Sequence, residues 1–489
     1  MLFNSYPFLF AFLPVTVAGF FLIARASRFL AALWLALASL FFYGWWNPRY
    51  VVLLLASVTF NYAAGYSIAR AGALSRAGAW RLGAAIVANL ALLAYYKYAN
   101  FFLGAAGDLA GARWNAGEIL LPLGISFFTF TQIAFLVDAH RGIAREYRLV
   151  HYLLFVTYFP HLIAGPILHH GQLIPQLERE ETYHFRADAL SSGLTLFAIG
   201  VFKKVLLADP FATFADPVFD GAAKGAMPAA TDAWIGAFAY TLQIYFDFSG
   251  YSDMALGLSR MLNIALPMNF DSPYRATSII EFWRRWHMTL SAFLRDYLYI
   301  PLGGNRHGAM RRHLNLMVTM LLGGLWHGAN WTFVAWGGLH GFFLVLNHAW
   351  RAAARRLRLP ALPGAPIAAA ALTFLAVVLA WVAFRADSIA TALGLWSAML
   401  HVSDAWAGRS DPARADALWF IGSGLAIVWL LPNAVRWVDP FGSAAPAGKT
   451  RWIVLNWRPT LAIGLLVGAM LAVSIARFGK PAPFLYFQF

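Results

Sequence analysis

The segment Leu314-Asn315-Leu316-Met317-Val318-Thr319-Met320-Leu321-Leu322-Gly323-Gly324-Leu325-Trp326-His327-Gly328-Ala329-Asn330-Trp331 opens a stretch that reaches Leu346 without one Asp, Glu, Lys or Arg. A helix needs roughly 20 apolar residues to cross about 30 Å of hydrocarbon, so this stretch is of membrane grade. His327 sits near its middle. Ionisable side chains at membrane depth are costly and mark function by default. His327 is therefore the first candidate for chemistry.

The flanks say how the stretch must run. Upstream, 263–313 carries Arg275, Arg284, Arg285, Arg295, Arg306, Arg311 and Arg312 against Asp271, Glu281 and Asp296. Downstream, 351–359 holds Arg351, Arg355, Arg356 and Arg358. Arginine-rich loops stay cytoplasmic. Both flanks then share one side, and 314–349 is expected to enter and return as a hairpin, breaking at Gly323-Gly324 and Gly337-Gly338. Irregular backbone at that depth is tolerated only in protein or along a cavity, which points to a cavity around His327.

The whole chain shares this character. Hydrophobic residues make up 60% and charged residues 12% of 489, against about 25% charged in soluble domains. This excludes an ordinary soluble protein. The net charge of +15 lies in arginines between apolar runs, a mark of topology and anionic lipid rather than of nucleic acid. The absence of cysteine excludes disulfides, thiolate metal sites and an acyl-cysteine intermediate.

Apolar runs fall near 8–24, 29–46, 50–68, 82–98, 119–137, 150–168, 190–208, 233–262, 314–334, 335–349, 366–384, 417–432 and 460–476. They predict an all-α polytopic fold with about 11–13 spanning or re-entrant helices. The first run follows Lys- and Arg-free sequence and reads as a retained helix. Arg70, Arg76 and Arg81 mark one cytoplasmic loop, and Arg141, Arg145 and Arg148 (against Asp138 and Glu146) another. Residues 99–118 and 403–416 are more acidic, the latter with Asp404, Asp411 and Asp416 against Arg409 and Arg414. This places the N-terminus outside, and parity then asks one run, 150–168, to re-enter. Residues 104–118 and 440–450 read as loops. The chain reads as one integral-membrane domain over 1–489, without internal repeats.

Glu281–Asp296 is predicted as one amphipathic helix. Trp283, Trp286, His287, Leu290, Leu294 and Tyr297 share a side, while Arg284, Ser291 and Arg295 face away. His287 should then point inward. His340 lies thirteen residues beyond His327, where helical rotation would turn it away, and is expected to be structural. Asp247 and Asp253 need partners in their apolar run. Arginines of 263–313 are the expected ones, although two acids could also form a carboxylate pair. His161, between Pro160 and Pro166, is expected to be structural. No HExxH site, P-loop, GxSxG elbow or Cys/His metal spacing is present.

Leu325–Trp331, preceded by Phe282-Trp283-Arg284-Arg285-Trp286-His287-Met288-Thr289-Leu290-Ser291, resembles the membrane-bound O-acyltransferase family. Supporting matches are Leu121–Phe130, 159–166, 245–253, Pro267-Met268-Asn269-Phe270 and Tyr299–Asn305. The resemblance is densest over 119–345, which it marks as the catalytic core. It implies a many-helix fold around a funnel or tunnel, with His327 as the catalytic histidine and His287 as its upstream partner. Trp286, Trp326, Asn330 and Arg285 are expected to line the substrate. No metal and no permanently bound cofactor are implied.

The implied reaction moves an acetyl group from acetyl-CoA or another cytoplasmic thioester, across the bacterial inner membrane, toward a secreted polysaccharide such as alginate. An exported SGNH-hydrolase-like acetyltransferase is the implied partner. An imidazole suits the general-base step such a transfer needs. A polysaccharide or lipid-linked-sugar flippase is the rival reading. It would share the helices but should show pseudo-symmetric halves. A membrane glycosyltransferase would be expected to need an acidic base.

Overall fold

The computed structural model describes residues 1–144, 148–358, 363–401, 412–438, 457–479 and 484–485. The loop reading of 440–450 and the charges at Arg145, Glu146, Asp404, Arg409 and Asp411 lie outside them. Every regular element among the described residues is helical, and each apolar run named above holds a helix.

The chain forms two compact units. The first comprises Met1–Phe202, Tyr251–Met268 and Ala434–Pro483. It contains α1 (Leu13–Ala24), α2 (Arg28–Gly44), α3 (Arg49–Arg70), α4 (Arg76–Leu93), α5 (Ala99–Ala110), α6 (Ile125–His140), α7 (Leu149–Thr157), α8 (His170–Glu178) and α9 (Ala187–Phe202). Serines start two of these helices: Ser27 accepts from Leu30 N and Ser75 from Gly78 N. That answers backbone donors no helical carbonyl can reach. The 104–118 interval is only partly loop, because α5 runs on to Ala110 and stops at Gly111 with φ 65°.

Helix α7 supports the re-entrant reading of 150–168. It has nine residues, which rise only about 14 Å. The chain leaves the helix at Tyr158, and His161 Nε2 binds Phe155 O at 2.9 Å. His161 is thus a buried structural residue.

The second unit comprises Lys203–Gly250, Asn269–Asn433 and Phe484–Phe489. It contains α10 (Asp209–Ala223), most of α11 (Ala230–Met261), α12 (Ile279–Arg285), α13 (Met288–Leu294), α14 (Gly308–His327), α15 (Trp331–Arg356), α16 (Ala365–Arg385), α17 (Ile389–Leu400) and α18 (Pro412–Leu430). The last helices, α19 (Ala434–Trp437) and α20 (Leu461–Ile475), return to the first unit. Among the described residues, helices at Arg49–Arg70, Arg76–Ala110, Ala187–Ala223, Ala365–Arg385 and Pro412–Leu430 are long and apolar enough to cross a membrane.

The expected hairpin is present, but its glycines do not break it. Gly323 and Gly324 lie inside α14, and Gly337 and Gly338 inside α15. The chain turns at Gly328-Ala329-Asn330, where Asn330 Oδ1 caps α15 by accepting from Thr332 N at 3.1 Å. The inner glycines let two backbones touch instead. A Cβ on Gly324 would stand 2.2 Å from Phe333 O, one on Gly337 2.3 Å from Met320 O, and one on Gly341 2.8 Å from Met317 Sδ. These pairs climb one helix as they descend the other, so the helices are antiparallel. Small residues at such a seam are the usual route to close packing in membranes.

Gly324→Ala should therefore overpack the seam and cost about 1–3 kcal/mol. A Cβ on Gly422 meets nothing within 4 Å, so Gly422→Ala serves as the control. Thermal unfolding in detergent reads both. Equal unfolding temperatures for the two variants would contradict the packing argument.

Asp247 does not pair with an arginine of 263–313. Lys204 Nζ lies 2.7 Å from Asp247 Oδ1 and 2.7 Å from Asp209 Oδ1, while Asp247 Oδ2 accepts from Leu485 N at 3.1 Å. The partner comes from the 190–208 run because that run's π-helical turn, Lys203–Ala208, carries the amine to α11. A lysine inside an apolar run had no separate reading in the sequence.

Candidate active site

The amphipathic segment 281–296 keeps its predicted inward face but is not one helix. Ser278 Oγ caps α12 by accepting from Glu281 N at 3.3 Å, and Glu281 Oε2 reaches back to accept from Thr277 N at 2.8 Å. The helix stops after Arg285. Trp286 is extended, and His287 takes φ 43°, ψ 54°, a left-handed conformation. A non-glycine residue there costs of order 1–3 kcal/mol and persists only where its surroundings impose it.

Asn269 imposes it. Its backbone carbonyl accepts from Met288 N at 3.0 Å. Its side-chain oxygen accepts from Thr289 N at 3.3 Å and Thr289 Oγ1 at 2.9 Å, and pairs with His287 Nδ1 at 3.1 Å. An oxygen already receiving Thr289 N–H can only accept, so Nδ1 carries the His287 proton. In the neutral ring Nε2 is then the basic nitrogen. The break thus fixes the tautomer of a fully buried imidazole.

His327 is the last residue of α14 and is 4% exposed. Its ring meets Trp336 edge-on at 5.1 Å and Phe384 at 5.3 Å. Trp326 joins the two histidines, with its ring 5.0 Å from His327 and 6.3 Å from His287. The two imidazoles are therefore no further apart than the sum of those separations. Phe248 covers His287 edge-on at 4.8 Å. The setting is buried and largely aromatic, and two imidazoles lie against one indole.

Other expected site residues are placed differently. Trp286 stacks on Phe282 at 5.6 Å and Tyr274 at 5.9 Å, and packs 4.9 Å from Trp381. It is part of the unit's core. Arg285 is held by Glu281 Oε1 at 2.8 Å and Asp271 O at 3.2 Å. Asn330 uses both ends of its amide, as helix cap and as donor to Asp387 O at 2.8 Å. His287, Trp326 and His327 come together, whereas Arg285 and Asn330 are engaged in bracing.

His340 is not turned away from the cluster. The break at Gly328 puts it on the partner helix of the hairpin, where Trp336 lies 4.8 Å from it and 5.1 Å from His327. Trp283 Nε1 donates to its Nδ1 at 3.3 Å, tying α12 to α15.

Asn269 had no assigned role in the sequence. It sits in a loop 18 residues before His287, and no periodicity links the two. Asn269→Ala would leave three buried donors without their acceptor, at about 1–3 kcal/mol each way such a group can be stranded. The expected result is a lower unfolding temperature together with a loss of acyl transfer. Unchanged values of both would show that the clamp is idle.

Among the described residues, one group has the ligand types of a metal site. Asp138, His169 and His170 bring donor atoms within 4.8 Å of one another. His169 Nε2 lies 2.5 Å from Asp138 Oδ2, and its Nδ1 accepts from Gly171 N at 3.2 Å. His169 thus spends both nitrogens on a clasp between α6 and α8. Spacing rules did not find the group because Asp138 lies 31 residues before His169.

The fold is that of a polytopic helical membrane protein, and two buried histidines, His287 and His327, meet the same indole within it. Residues 73–389 match the membrane-bound O-acyltransferase family. The chain belongs to that family and is an O-acyltransferase. It is 43% identical to the probable alginate O-acetylase AlgI of Pseudomonas aeruginosa, with 100% of each chain covered. It is 41% identical to the peptidoglycan O-acetyltransferase of Helicobacter pylori over 82% of this chain and 80% of that one. A teichoic acid D-alanyltransferase of Streptococcus thermophilus is 30% identical over 48% of this chain and 59% of its own.

Proposed function

We propose that this protein takes an acetyl group from a thioester on the cytoplasmic side of the bacterial inner membrane and passes it outward for O-acetylation of a secreted polysaccharide such as alginate. The observation that carries the reading is the pair His287 and His327 on one indole, Trp326, all three buried. Relatives named for acetylating alginate and peptidoglycan support the acetyl group and a glycan acceptor.

In this reading His327 is the base. It removes the proton of an acceptor hydroxyl as the oxygen attacks the thioester carbonyl. The C–S bond breaks, and the leaving thiolate recovers the proton from the imidazolium. Such proton transfer contributes typically about 10²–10⁴-fold. His287, with Nδ1–H fixed on Asn269, holds Nε2 toward the reacting groups and orients the donor. Acetyl-CoA is the donor first tested, and an exported SGNH-hydrolase-like acetyltransferase is the proposed relay to the polymer.

Purified protein in liposomes, given labelled acetyl-CoA and a soluble hydroxyl acceptor, should transfer label at the expense of the thioester. Movement of a sugar across the bilayer without thioester turnover would contradict the proposal.

A further inference from the structure

The base of the α14–α15 hairpin carries a cationic cluster that the aromatic setting around His327 does not use. On the α14 side the sequence reads Arg306-His307-Gly308-Ala309-Met310-Arg311-Arg312-His313. On the α15 side it reads His348-Ala349-Trp350-Arg351, then Arg355, Arg356 and Arg358. Neither segment contains an acid.

Structure brings the two together. Arg312 Nη2 donates to His313 Nε2 at 3.0 Å, and the His313 and His348 rings stand 6.4 Å apart. His348 feels the charges of Arg312, Arg351 and Arg355 at once. Arg312 Nε is buried and has no hydrogen-bond partner among the described residues.

Five other bases of this unit are neutralised by acids. Lys204 has Asp209 and Asp247, Arg285 has Glu281, Arg295 has Asp296, Arg385 has Asp216 and Asp220, and Arg414 has Asp232. None of the ion pairs among the described residues engages Arg311, Arg312, Arg351 or Arg355. The positive-inside rule explains arginines in a cytoplasmic loop. It does not explain a guanidinium Nε buried without an acceptor beside a histidine that two further arginines, Arg351 and Arg355, also face. The positive end of the α14 dipole and the negative end of the α15 dipole meet at this foot and offset one another, so the side-chain charges are left to an external anion. Arg351 Nη2 donates to Ser278 Oγ at 3.0 Å; an anion with several oxygens answers the donors that remain, and guanidinium forks fit phosphate in particular.

We infer that Arg312, His313, His348, Arg351 and Arg355 form a seat for a phosphate-bearing ligand at the foot of the hairpin that carries His327. Two sources offer that chemistry: the nucleotide phosphates of a coenzyme A thioester, and an anionic lipid headgroup. The first source rests on the acetyl-transfer reading above, and the seat would then anchor the donor while its thioester reaches the histidines.

The test uses full-length protein in detergent and measures equilibrium binding, so it needs no turnover. Coenzyme A and pantetheine are compared on the parent and on the Arg312→Gln/Arg355→Gln double variant, with matched unfolding temperatures. Each lost charge-assisted contact is expected to weaken coenzyme A about tenfold. Pantetheine, which lacks the phosphates, should be unaffected. In parallel, both proteins are purified from bilayers containing phosphatidylglycerol, and retained lipid is measured. Lipid held by the parent and shed by the variant, with coenzyme A affinity unchanged, assigns the seat to a headgroup. Equal coenzyme A affinity and equal retained lipid in parent and variant would overturn the inference. So would an equal loss of pantetheine binding. If coenzyme A binds through these arginines but no acetyl transfer occurs, the seat stands and the transferase chemistry falls.

Discussion

His327→Ala is expected to abolish acetylation of the extracellular glycan at unchanged protein level. Loss of a positioned general base costs about 10²–10⁴-fold, which places residual activity below ordinary detection. The variant should still fold. The His327 ring contacts Trp336 and Phe384 by its edges, and it ends α14 rather than filling the seam. The cavity left behind is bounded by large aromatics that can close on it. Ester-linked acetate on the isolated polymer, measured beside membrane protein level and unfolding temperature, separates chemistry from folding. Wild-type acetate content in this variant would remove His327 from the reaction.

Lys204→Met should have the largest effect on stability. The amine is 3% exposed and sits between Asp209 and Asp247, the latter 2% exposed. Methionine keeps most of the stem and removes the charge, which strands the Asp247 carboxylate in the core. Breaking a buried ion pair from one side costs about 3–5 kcal/mol, a large share of a total stability near 5–15 kcal/mol. The expected outcome is a low yield of folded protein. Asp247→Asn added to Lys204→Met should restore much of it, because the stranded charge is gone and an oxygen remains for Leu485 N. A Lys204→Met protein that unfolds at the parent's temperature would show that the pair contributes little.

Much of this was legible in the sequence, for identifiable reasons. Apolar run length is set by bilayer thickness, so helices appear at every run that length marked. Arginine asymmetry gave the hairpin, since α14 and α15 leave charged ends on one side. The errors have one cause: side-chain and backbone demands that length and period do not express. Gly324 and Gly337 looked like breakers because glycine usually is one, yet here the missing Cβ serves close approach. Residues 281–296 kept helical periodicity through a break, because His287 takes one left-handed step and the inward face resumes. Asn269 and Lys204 stayed unread because each acts at a distance in sequence that only the fold closes. His340 was misplaced for the same reason as the glycines, since the turn at Gly328 lay elsewhere than expected.

The central claim is that His287 and His327 act as one acyl-transfer centre around Trp326. A double-mutant cycle with labelled acetyl thioester tests it most directly, using reconstituted parent, His287→Ala, His327→Ala and the double variant at matched unfolding temperatures. Groups that act as a unit are strongly non-additive. The prediction is that the double variant transfers label no more slowly than His327→Ala alone. Losses that multiply across the two sites would contradict it and leave two histidines working independently.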